Sequence, residues 1–117
     1  MKQVYFTDKM EIRMGSPFNH CKLEFEGFNL SDLSKIGFQD ICSWGQNHKY
    51  LILVKWNIMP NNEPGFNIIA LDTEKEEIIF SSERVAGICT SLSLENNQLK
   101  YGILFKGNEI KRSIQIK

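Results

Sequence analysis

Two histidines, His20 and His48, are the residues of this chain best suited to moving protons near neutral pH. A pair of imidazoles, one acting as base and one as acid, can cleave RNA. Lys22 or Lys49 would then serve the phosphate. On that reading the chain is a small nuclease or hydrolase. The spacing alone does not bring the two rings together. His20 falls on the expected solvent face of its strand and His48 in a turn, so ordinary surface histidines are the alternative.

The other nucleophile and ligand types lack a frame. His20 and Cys21 are neighbours in a strand, where consecutive side chains point to opposite faces. They make a poor metal pair. Cys42 and Cys89 have no sequence-local histidine or second thiol, whereas a structural zinc needs about four ligands. Ser16 precedes a proline and does not form a nucleophile elbow. A glycine-rich phosphate loop is also missing. The expectation is therefore a protein without metal or cofactor, and not an enzyme.

Charge and aromatic placement offer a different kind of site. Asp72, Glu74, Glu76 and Glu77 gather in one turn, Glu63 stands in the loop before it and Glu83 follows the next strand. Basic residues gather instead near the C-terminus, at Lys106, Lys111, Arg112 and Lys117. Trp44 precedes Gly45 beside a loop, where an exposed indole makes a good interface anchor. Alternatively, Trp44 closes one end of the core and the acidic turn is a solvated hairpin tip. The expected partner-binding set is Trp44, His48, Glu63, Asp72, Glu74, Glu76 and Glu77. Such a surface would steer and orient a basic protein.

The elements that must position these residues read with a period of two. "KMEIRM" sets Met10, Ile12 and Met14 against Lys9, Glu11 and Arg13. "HCKLEFE" sets Cys21, Leu23 and Phe25 against charge, and "LKYGILFK" puts Leu99, Tyr101, Ile103 and Phe105 on one face. "EIKRSIQI" puts Ile110, Ile114 and Ile116 with Arg112 on one face. Apolar-in, polar-out alternation is the mark of half-buried antiparallel strands. The stretch Lys49–Ile58 differs. One face, Tyr50 to Ile58, is wholly apolar, with Trp56 in the expected core. The other face carries Leu51 and Leu53 in its middle. That predicts a central strand covered on both sides.

"MPNNEPG" reads as a loop, and "DTEKEE", "ENNQ" and "KGNE" as tight hairpin connections. "NLSDLSKIGFQDI" has helical spacing at Leu30, Leu33 and Ile36 and a capping Ser31, so it reads as a short helix or an irregular loop. The fold class is all-β, with at most one short helix. The architecture is an antiparallel meander forming a small sandwich or barrel, in one domain over residues 1–117.

Totals bound the partners. The chain has 117 residues, and 14 basic residues balance 14 acidic ones. Nucleic acid is not expected, because phosphate contacts draw on a basic excess. The N-terminus lacks the form of a secretory signal and the longest apolar run is too short to span a bilayer, so no membrane partner is expected. Three widely spaced cysteines fit reduced thiols in the cytoplasm better than a disulfide framework.

Two stretches, "EIRMGSPFNHCKLEFEG" and "WGQNHKYLILVKWNIMPNNEPGFNIIALDTEKEEIIFSSERVAGICTSL", carry a resemblance of style. The chain resembles the immunity proteins of bacterial toxin systems, such as those of contact-dependent growth inhibition. The resemblance implies a one-to-one inhibitor of a cognate toxin domain, often a nuclease, that covers the toxin's active site with acidic side chains. It transfers no residue by position. The rivals are the His20–His48 enzyme and a structural or ligand-carrying β protein, whose sign would be a large apolar cavity.

Overall fold

The computed structural model describes residues 2–11, 19–30, 33, 36–58 and 64–116. Ten strands follow one another: β1 (Gln3–Glu11), β2 (Asn19–Glu26), β3 (Ile36–Trp44), β4 (Tyr50–Ile58), β5 (Pro64–Asp72), β6 (Glu77–Ser81), β7 (Val85–Ala86), β8 (Ile88–Glu95), β9 (Gln98–Phe105) and β10 (Asn108–Gln115). β1 to β6 form an antiparallel meander in sequence order, with β7 also paired to β5. β8, β9 and β10 form a second, three-stranded sheet. The arrangement is sandwich-like, and among the described residues there is neither an α-helix nor a closed barrel.

β4 behaves as its sequence requires. Leu51, Ile52, Leu53 and Val54 are all fully buried. Ile52 and Val54 join Phe66, Ile68, Ala70, Cys89, Leu99, Tyr101 and Ile103 in a core between the two sheets. Leu51 and Leu53 face the other way, into a second core with Leu23, Phe28, Leu30, Phe38, Ile69 and Leu71. Val4 and Phe6 of β1 pack on that second core. The large sheet therefore curls until its first strand shares a cluster with β5, and a β-bulge between Thr7 and Met10 marks the bend of β1.

The hairpins follow their turn residues. Asn96 and Asn97 (φ 50° and 65°) join β8 to β9, and Lys106 and Gly107 (φ 51° and 80°) join β9 to β10. Two consecutive positive φ values give the turn whose twist matches paired strands. At the crossing between the sheets Gly87 has φ 115°, and a Cβ there would lie 2.6 Å from the Leu104 carbonyl oxygen. Only glycine passes this point without displacing backbone.

Side-chain hydrogen bonds tie β3 to β8 across the sheets at two described places. The Gln39 side chain, 1% exposed, donates to the Cys89 carbonyl (2.8 Å) and accepts the Cys89 N–H (3.0 Å). A register shift between Cys89 and Ser91 occurs beside this contact. The amide thus replaces a missing ladder partner at a buried site, where an unpaired backbone group is costly. Further along, the Ser43 hydroxyl accepts the Leu94 N–H at 3.2 Å.

Four details differ from the sequence reading. Met10, expected inside, is 63% exposed, because the β1 bulge reverses which face its residues occupy. Trp56 is only half-buried, lies outside the two core clusters and stacks on His20. Residues Ile36–Ile41 of the helix-spaced stretch lie in β3, while the Ser31 cap falls outside the described residues. Of the expected loop Met59–Gly65, Pro64 and Gly65 already belong to β5, and the rest falls outside the described residues.

Candidate functional site

The turn after β3 is built tightly. His48 donates its N–H to the Gly45 carbonyl (3.2 Å), and Gly45 donates its own to Tyr50 (2.8 Å). Asn47 and His48 both adopt positive φ, 56° and 57°. Asn47 tolerates the left-handed region readily, whereas His48 is held there by the surrounding hydrogen bonds. The His48 ring lies 4.7 Å from the Trp44 ring, and Phe28 meets Trp44 edge-on at 6.1 Å. Trp44 is half-buried and His48 exposed. Trp44 packs against the second core and remains partly exposed.

The acidic hairpin comes to the same end of the sheet. Thr73 donates its N–H to the Lys49 carbonyl, 2.8 Å. Its hydroxyl reaches the His48 and Lys49 carbonyls at 2.8 and 2.9 Å and accepts from Lys2 Nζ at 3.0 Å. Glu74 lies 3.9 Å from Lys49 Nζ. Glu76 accepts the Asn29 N–H at 2.6 Å, which pins the segment carrying Phe28. The Trp44–His48 pair and the Glu74–Glu76 pair, far apart in sequence, are thus linked through Asn29, Lys49 and Thr73 at one end of the sheet. Glu77 is exposed at the start of β6 beside them.

Asp72 departs from the expected role of a surface carboxylate. It is 2% exposed and accepts the N–H groups of Glu74 and Lys75, both at 3.0 Å. The bond from Lys75, before any other influence, holds its carboxyl below the ordinary carboxylate value. Asp72 shapes the turn that displays Glu74 and Glu76. Glu63 lies outside the described residues. Lysines at positions 2, 49 and 75 stand among the carboxylates, so the surface is mixed in charge, less acidic than the turn sequence read alone.

The structure does not bring the two histidines together. His20 stacks flat on Trp56, ring centroids 5.0 Å apart at 14°. His48 stands beyond Tyr50 at the other end of β4, and the Tyr50–Trp56 stretch alone spans roughly 20 Å at the strand rise. One phosphate cannot lie within hydrogen-bond reach of both rings.

The cysteines are unpaired. Burial pushes the Cys21 thiol up to about 11 and the Cys89 thiol up to about 12. Both are kept as thiols and are weak nucleophiles at neutral pH. Among the described residues no group of three His, Cys, Asp or Glu side chains could hold a metal ion. Nor is any helix long and apolar enough to cross a membrane.

A second concavity was not foreseen. A groove of about 630 Å³ opens where β9 and β10 diverge from β6 and β7. Phe80, Tyr101, Ile103, Phe105 and Ile110 line it, together with the charged Glu83, Arg84 and Arg112. The only signal in the sequence was Arg112 sharing a strand face with Ile110 and Ile114. Set against protein-family models, characterised proteins and solved structures, the chain finds no match in any of the three.

Proposed function

We propose that this chain is a cytoplasmic immunity protein, a rigid β scaffold that binds a cognate toxin domain and covers its active site. The observation that carries the reading is the braced end of the sheet, where the Trp44–His48 ring pair (4.7 Å) is linked to the carboxylates of Glu74 and Glu76. An aromatic anchor held in place before binding loses little freedom on association. Carboxylates around it complement the basic surface of a nuclease and speed its approach. The toxin partner and the cytoplasmic setting rest on the resemblance to immunity proteins and on the unpaired thiols.

The experiment is capture from the source cells, followed by a growth assay. Tagged wild-type chain is expected to retain a basic protein that halts growth when expressed alone and is neutralised by co-expression. Trp44→Ala combined with Glu74→Lys should lose both the capture and the protection. If the double variant protects as well as the wild type, or the captured protein is harmless alone, the reading fails.

A further inference from the structure

We propose that the groove between the sheets takes up an extended segment of a partner protein, which adds to the free edge of β10 as a fourth strand and is read for the order apolar–x–acidic–x–apolar. This site shares no residue with the Trp44 surface and does not rest on the toxin reading.

Strand addition needs an open edge, and the edges of this molecule differ. β1 is bulged and carries Lys9 and Lys22–Asp8 at its margin. β6 has five residues and gives way to the irregular Ser82–Arg84 segment. β8 is tied to β3 through Cys89 and Leu94. β10 also carries charge, at Glu109, Lys111 and Arg112, but among the described residues it pairs on one side only and has neither a bulge nor a tie to the other sheet. Its eight residues pair with β9 in unbroken register from Asn108 to Gln115, and all but Ile114 are exposed. A long, regular, uncovered edge is a template for another strand.

The register fixes what such a strand would meet. Ile110, Arg112 and Ile114 pair with Ile103, Tyr101 and Leu99, all buried, so these three face inward over the groove. Ile110 is 40% exposed there. Phe80 and Val85 form the opposite wall. An incoming strand would set one residue opposite each of Ile110, Arg112 and Ile114, with Cβ atoms about 5 Å apart. Apolar side chains fit the first and third positions, and a carboxylate fits the second.

Charge selects the occupant. Among the described residues Arg84 and Arg112 form no ion pair, while Glu109 is already engaged with Lys111 (3.3 Å) and Thr90 (2.9 Å). Glu83 also lines the groove, so its described lining carries two arginines against one carboxylate. Two copies of β10 paired about Lys111 or Arg112 would set like charges against each other. An acidic partner segment is favoured over a second copy.

The probe is a fluorescein-labelled peptide, Thr-Val-Thr-Glu-Thr-Val-Thr with blocked ends, added to the full chain. Saturable binding is expected, with amide resonance shifts concentrated at residues 108–115. Arg112→Glu, an exposed substitution whose folding is checked by circular dichroism, should weaken binding about fivefold. The same peptide with Lys in place of Glu should recover the loss on that variant. The proposal is overturned if wild type binds the Glu and Lys peptides equally or binds neither. It is also overturned if the chain dimerises in sedimentation and Ile110→Lys abolishes the dimer. A third contrary outcome is that dodecanoate fills the groove while the β10 amides ignore the peptide.

Discussion

The two concave or projecting regions of this molecule are built in opposite ways. At the Trp44 end, groups from four separated stretches lock onto one another: Lys2 and Thr73, the Asn29 N–H and Glu76, Phe28 and Trp44, Lys49 and Glu74. At the β10 groove the ties thin out, and apolar side chains stand half-open beside two arginines. The braced end is fitted to present a fixed surface. The open groove is fitted to be completed by something else. Rigidity before binding and vacancy before binding are two routes to recognition, since one lowers the ordering cost and the other offers unsatisfied groups.

The sharpest way to break this contrast is truncation of one aliphatic side chain in each region. Leu71→Ala, in the fully buried core behind the braced end, is expected to cost about 2–5 kcal/mol in urea unfolding. Ile110→Ala, at the groove, should cost no more than about 0.5 kcal/mol. Comparable losses at the two sites would show that the groove is as much a structural core as the braced end.

A smaller effect tests the bracing itself. Thr73→Val keeps the shape of the side chain and removes the hydroxyl that serves His48, Lys49 and Lys2. A loss of about 1–2 kcal/mol is expected, because the His48 carbonyl loses its buried donor. If the midpoint of unfolding does not move, the Thr73 network is ornamental and the braced end owes its form to packing alone.

The smallest effect is one of pH. The folded Asp72 carboxyl titrates below its unfolded value of 3.8, chiefly because it accepts the Lys75 N–H, with burial opposing and the Glu74 N–H assisting. A depressed carboxyl contributes stability that is complete above the unfolded value and is lost as pH falls through the folded one. Stability should therefore decline below about pH 4, and Asp72→Asn should flatten that acid limb. Identical acid limbs in the two proteins would remove Asp72 from the account.

Much of the scaffold was legible because it rests on repeating patterns. β4 announced two covered faces through Leu51–Val54, and the Asn-Asn and Lys-Gly turns announced their hairpins. The candidate surface was legible in part: Trp44, His48, Glu74 and Glu76 are linked at one end of the sheet. Asp72 was misread because a carboxylate at the head of a turn serves its own backbone before any partner. Trp56 has the parity of a core residue, yet it lies near the end of β4 and meets His20 there. Met10 was misplaced because a bulge leaves no trace in alternation until the strand has passed it. Gln39 gave no periodic signal at all, since its purpose exists only once β8 arrives with an unpaired Cys89 backbone.

That glutamine has a mechanical consequence. Gln39 and Ser43 anchor β8 at two points, while β10 lies two strand spacings away, about 9.6 Å at the usual separation. The small sheet is tied by side-chain hydrogen bonds along β8, packed on the core through Leu99, Tyr101 and Ile103 of β9, and unpaired at the outer side of β10 among the described residues. A strand seated on β10 would therefore act at the margin farthest from both ties.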